Sequence, residues 1–246
     1  MKRTSVILGS LVILMMALPC GSAMAFDVTI DTGKRGAGPL EIAGLLTIIT
    51  IAPAILIMLT SFTRIVVVLS LLRQALGLQT TPPNMVITGL ALFLTMLVMA
   101  PTWNVIRAQA LDPYMAGQLD VTSATAKAEE PLRNFMLRQT RVEDVQMARA
   151  LLAKSSITLP DGDPKSLPFF ALVPAFVSSE LTSAFRVGFL IYLPFLVIDL
   201  TVSAILMALG MFMLPPTVVS IPLKLLVFVM VSGWPLLLGN LGASFA

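Results

Sequence analysis

The stretch VGFLIYLPFLVIDLTVSAILMALGMFMLPPTVVSIP, Val187 to Pro222, decides how the rest of the chain is read. From Val187 to Leu214 its only charge is Asp199, and the run exceeds the ~20 apolar residues that a helix needs to cross a bilayer. An ionised Asp near the bilayer centre costs roughly 2.5–3.5 kcal/mol on insertion scales, so this acid is expected to face protein or water. Two roles suit it: a structural ion pair between helices, or a proton or ion relay. The run closes on Met211-Phe212-Met213-Leu214-Pro215-Pro216, where Gly210 can end a helix and the two prolines bar its continuation. Turns between helices are normally polar. Flexible thioethers and a ring at this tip imply that something apolar is wanted there.

Composition agrees with a membrane protein. Hydrophobic residues make up 57% of the 246 and charged residues 12%, and the mean hydropathy is +0.94. There is no histidine, which removes the commonest general base and metal ligand. The single cysteine, Cys20, falls in the leader, so the mature chain is expected to offer no thiolate and no disulfide. No carboxylate cluster suggests a metal, and no cofactor is expected. The net charge of +3 drops to +1 once Lys2 and Arg3 leave with the leader, which gives no basic field for nucleic acid.

Residues 1–25 read as a cleaved signal peptide: Lys2-Arg3, an apolar core from Val6 to Leu18, Pro19, then Ala23-Met24-Ala25 with cleavage after Ala25. A lipoprotein reading of Cys20 is disfavoured by the preceding proline. Residues 26–39 are expected to form a short periplasmic arm. A first helical hairpin over 40–103 begins with a long apolar segment, Leu40 to Leu72, which carries Glu41 and Arg64 and has Pro53 as a kink. It ends at Gly77, turns at Pro82-Pro83, and returns through the uncharged Met85 to Trp103. Residues 104–168 hold most of the charges and read as a soluble periplasmic domain, with a helix from Pro131 to Leu152. Asp161-Gly162-Asp163-Pro164 is a turn, too short for a calcium loop. The second hairpin, 169–246, carries Glu180, Arg186, Asp199 and Lys224. Its last helix is expected over Leu225 to Leu241, with Gly233 and Pro235 as kinks.

The two hairpins repeat one pattern. Thr60-Ser61-Phe62-Thr63-Arg64 leads to Ala75-Leu76-Gly77 and Pro82-Pro83; Thr182-Ser183-Ala184-Phe185-Arg186 leads to Ala208-Leu209-Gly210 and Pro215-Pro216. Both are expected to run the same way across the membrane, with cytoplasmic tips marked by Arg73 and Lys224. The fold class expected is all-α, a membrane protein of two helical hairpins with an inserted helical domain.

Six segments carry a resemblance: SFTRIVVVLSLLRQALG (Ser61 to Gly77), PPN (Pro82 to Asn84), GLALFLT (Gly89 to Thr95), PLRNFMLRQTR (Pro131 to Arg141), LVPAFVSSELTSAF (Leu172 to Phe185) and LPFLVIDLTVSAILMALGMFMLPP (Leu193 to Pro216). In order and over nearly all of the mature chain, they resemble the FliP family of flagellar export-gate proteins and its counterparts in virulence type III secretion. The resemblance implies a ring, pentameric in that family, assembled with FliQ and FliR and joined by FlhB and FlhA in the inner membrane at the flagellar basal body. It implies that unfolded flagellar subunits pass through the ring. It also implies that Arg64, Glu180, Arg186, Asp199 and Lys224 find partners across subunits, and that many apolar helices meet neighbouring subunits instead of lipid. Met211, Phe212 and Met213 would then form the constriction of the closed pore.

An ion-coupled transporter working through Asp199 is the competing reading. An intramembrane hydrolase lacks its histidine, its thiol, a G-x-S-x-G elbow and an aspartyl pair. The chain is therefore not expected to be an enzyme.

Overall fold

Glycine and proline set the two hairpin tips, while threonine hydroxyl bonds and a serine at positive φ break the chain elsewhere. The computed structural model describes residues 46–47, 50–51, 54–55, 57–154 and 166–245. The leader with Ala25, the 26–39 arm, the Pro53 kink and the 161–164 turn lie outside the described residues. All the named helices belong to one compact unit, Ile48–Ala246. Described residues are helical, turn or irregular, with no strand among them.

Helix α1, Phe62–Ala75, buries Phe62, Ile65, Val68, Leu69, Leu72 and Ala75, one face at helical spacing. The long segment expected from Leu40 to Leu72 is broken just before it. Leu59 to Ser61 form a turn in which the Thr60 hydroxyl donates to the Ile57 carbonyl at 3.1 Å, a local bond that competes with the helix ladder.

Helix α2, Asn84–Ile106, buries only the narrow line Ile87, Ala91, Thr95 and Thr102. It runs through a wider π-helical segment, Arg107–Leu111, into the short α3, Asp112–Met115. Pro113 has no N–H to give the carbonyl one turn earlier, and the ladder widens just ahead of it.

The single helix expected from Pro131 to Leu152 is two. Asp120 caps α4, Val121–Gln139, by accepting the Ser123 N–H at 3.3 Å. The chain turns at extended Thr140, whose hydroxyl donates back to the Met136 carbonyl at 2.7 Å, and α5 runs from Val142 to Lys154. Both helices pack on the first half of α6, Phe169–Ala208, with Phe135 edge-on to Phe176 at 5.9 Å.

Helix α6 is 40 residues long, and α1 lies along it. Arg64 meets Glu180 and Leu71 meets Gly188, so residue numbers rise together and the two helices are parallel. Gly188 permits this approach: a Cβ there would sit 2.2 Å from Leu71 Cδ1.

The last helix does not start at Leu225. Helix α7 spans Pro216–Met230, with Pro216 in the first turn, where its missing N–H costs nothing. A 65° bend separates it from α8, Gly233–Ala243. The bend is set at Val231 and Ser232, the latter at φ 52, rather than inside the helix at Gly233 or Pro235.

Among the described residues two helical stretches, Asn84–Met115 and Phe169–Ala208, are long and apolar enough to cross a membrane, or three if bent α7–α8 counts as one span. Hydropathy of the bare sequence suggests four. The turn at Leu59–Ser61 leaves α1 with 14 residues, too few to span by itself.

Candidate functional site

The two hairpin tips are built alike. Gly77 and Gly210 take φ 75 and φ 74, the left-handed conformation that a residue with a Cβ adopts only at a cost. At the first tip the Gly77 N–H reaches the Gln74 carbonyl and the Leu78 N–H reaches Arg73. At the second, the Gly210 N–H reaches Met207 and the Met211 N–H reaches Leu206. Both are Schellman closures that satisfy carbonyls left over at a helix end. Pro82-Pro83 and Pro215-Pro216 then restart the chain, with Pro83 capping α2 and Pro215 capping α7.

Their surroundings differ. At the first tip Arg73 donates to the Pro82 carbonyl at 3.3 Å and to Asn84 Oδ1 at 2.6 Å, and a Cβ on Gly77 would lie 3.0 Å from Ile221 of α7. A Cβ on Gly210 would meet nothing within 4 Å. Beyond it Met211 is 45% exposed, Phe212 79% and Met213 96%. The protein holds out three apolar side chains on a turn fixed at both ends.

Four of the five expected charges pair with each other within this chain. Arg64 on α1 forms a double bond pattern with Glu180 on α6: Nε to Oε2 at 3.0 Å and Nη2 to Oε1 at 2.5 Å. Glu180 is fully buried and Arg64 nearly so. Such a fork is the geometry that lets an ion pair survive burial. Lys224 on α7 donates to Asp199 Oδ2 at 2.7 Å and to the Ala75 carbonyl at 3.1 Å. Asp199 Oδ1 is buried without a hydrogen-bond partner among the described residues. Arg186 is exposed on α6 in the single chain, and no described residue pairs with it.

Sequence reasoning missed the polar belt around residues 178–182. Asp144, in the first turn of α5, is buried and accepts from the Ser178 hydroxyl at 2.9 Å, the Ser179 hydroxyl at 2.5 Å and Arg141 Nε at 3.0 Å. The Arg141 backbone N–H donates to Ser179 Oγ at 3.0 Å. Burial by itself raises the Asp144 pKa, but the bonds from Ser179, Ser178 and Arg141, with the Arg141 charge, outweigh it and hold the carboxyl below its ordinary range. The signal was the run Ser178-Ser179 in an apolar helix, since hydroxyls buried there call for a partner.

Both tips and both buried charge pairs lie inside residues 45–241, and that region matches the sequence profile of the FliP family. The chain belongs to the FliP family. Flagellar biosynthetic protein FliP of Pectobacterium carotovorum subsp. carotovorum is 50% identical over 201 residues, which cover 82% of this chain and 76% of that protein. FliP of Cereibacter sphaeroides is 46% identical over 222 residues, 90% of this chain and 72% of the relative. FliP of Bacillus subtilis (strain 168) is 46% identical over 201 residues, 82% and 89% of the two chains.

Proposed function

We propose that this FliP-family chain is a non-enzymatic pore subunit of the flagellar protein export gate, passing unfolded flagellar subunits across the bacterial inner membrane at the basal body. The observation that carries the reading is the exposed tip Met211-Phe212-Met213. A ring of such tips brings several thioethers together. Being unbranched and polarizable, they pack closed against one another and spread around a passing chain of any sequence. An apolar constriction also stays dry, which holds back ions without a charged plug.

The length of α6 supports assembly. Its 40 residues span ~60 Å, about twice the ~30 Å hydrocarbon core of a bilayer. Apolar side chains face outward at the start of the helix and along its second half: Phe170, then Phe185, Phe189, Leu193, Val197, Leu200 and Ile205, are exposed in the single chain. A bilayer core about 30 Å thick cannot cover both Phe170 and Ile205, roughly 52 Å apart along the helix. Further copies, in a ring that we take as pentameric, and the small membrane proteins FliQ and FliR cover the rest, with FlhB and FlhA as further partners. An exposed apolar face this large marks an interaction surface.

A transporter working through Asp199 is the weaker reading, because that carboxylate is already bound to Lys224. Native mass measurement of the detergent-extracted complex separates the two. A homo-oligomer, alone or with FliQ and FliR, is expected; a stable monomer with solute transport activity would overturn the export-gate reading.

A further inference from the structure

Arg64 carries five N–H donors, and each has an acceptor. Nε and one Nη2 hydrogen go to Glu180, the other Nη2 hydrogen goes to Gln139 Oε1 at 3.1 Å, and Nη1 serves Ser244 twice, at the carbonyl (3.2 Å) and the hydroxyl (3.3 Å). The guanidinium carbon stands 4.0 Å from the centroid of the Phe245 ring. Gln139, the last residue of α4, donates its amide to the Phe245 carbonyl at 3.3 Å. The two residues after α8 thus close a circuit that includes α1, the end of α4, α6 and α8.

Exposure tells which part of the circuit is the wall. Arg64 and Glu180 are buried beneath, while Ser244 is exposed and Phe245 half-buried above them. Phe245 also lies at the edge of two apolar clusters, the α4–α5–α6 core and the α1–α2–α6 core. Lifting the two residues away would leave two guanidinium donors and one guanidinium face without partners. A buried ion pair tolerates that poorly, because its attraction offsets desolvation only when the remaining donors are satisfied. Most of the packing of α1 on α6 lies beyond them: Ile65, Val68, Leu69 and Ala184 are buried in one cluster, with Phe245 only at its partly buried edge.

We propose that Ser244 and Phe245 form a clasp. Seated on Arg64, it keeps the Arg64–Glu180 pair dry and fastens α8 to the end of α4. Unseated, it frees those two elements from each other while α1 stays packed on α6. Phe245 acts through its ring as well as its bulk, since a cation lies over the ring face. This inference does not depend on the export reading, because it concerns the folded chain alone.

Hydrogen–deuterium exchange on the purified full-length protein tests it, comparing wild type with Phe245→Leu and Phe245→Tyr. Leucine keeps an apolar cover and removes the ring; tyrosine keeps the ring. Phe245→Leu is expected to speed exchange about tenfold at residues 134–140 and 236–243, with residues 65–69 and 184–188 unchanged. Phe245→Tyr should stay within about twofold of wild type at all four segments. Unchanged exchange in the leucine variant overturns the clasp. So does a uniform increase along all helices, which marks global loosening, or a tyrosine variant that exchanges as fast as the leucine one.

Discussion

Lys224 stands 2.7 Å from the Asp199 carboxylate and 3.1 Å from the carbonyl oxygen of Ala75, so one ammonium joins both helices of the second hairpin to the end of α1. The Ala75 carbonyl is among those a helix leaves without an intrahelical partner, at the end where a positive charge is favoured. The acid that made the sequence of α6 hard to place in lipid is thus half of an interhelical staple.

Removing one half should cost more than removing both. Asp199→Ala leaves a buried ammonium with a single carbonyl, a loss on the order of 3–5 kcal/mol. Asp199→Leu combined with Lys224→Met removes the buried charge and should recover most of it. Thermal unfolding of the purified variants reads the difference. An Asp199→Ala variant with normal stability and assembly but without proton-dependent activity would favour the relay role instead.

Acid should loosen the seat of α5. The folded pKa of Asp144 lies below its ordinary value because its bonds outweigh burial, so the folded protein holds this proton more weakly than the unfolded chain does. Its stabilisation is fully present above the unfolded value of about 3.9 and is lost as pH falls from there through the folded pKa. Asp144→Asn should lower Tm at pH 7, corresponding to roughly 1–3 kcal/mol, and the gap from wild type should shrink below about pH 4. Melting curves across pH 2–8, a range of about six units, would show it. A gap that is constant with pH would contradict it.

Overpacking should mark the closest helix contact. Gly188→Ala places a Cβ 2.2 Å from Leu71 Cδ1 and 3.1 Å from Leu71 Cβ, so the Leu71 side chain must change rotamer and α1 must shift slightly from α6. The expected loss is about 1–3 kcal/mol, with partial recovery when Leu71→Ala is added. Denaturation of the two single variants and the double variant measures this coupling.

How far the sequence reaches is clear from individual residues. Gly77, Gly210 and the proline pairs located both tips, because left-handed turns and proline restarts are local chemistry. Ser232 hid the α7–α8 bend, since a non-glycine residue at positive φ has no local signature, whereas the neighbouring Gly233 and Pro235 are ordinary break residues. Thr140 and Thr60 ended helices through hydroxyl bonds to the preceding turn, which spacing alone does not reveal. The charges Arg64, Glu180, Asp199 and Lys224 stood out in apolar sequence, but which met which depended on α1 lying parallel to α6. Ser244 and Phe245 carried no signal, because their role exists only where α8 passes the end of α4.

Ion conductance of the assembled complex in planar bilayers tests most directly whether the tip Met211-Phe212-Met213 is the constriction. Met211→Ala with Met213→Ala removes both thioethers from a turn whose backbone is set by Gly210 and Pro215, so assembly should persist. The closed complex should then leak small ions, while wild type stays tight. Unchanged conductance in a correctly assembled double variant would contradict the account and put the gate elsewhere.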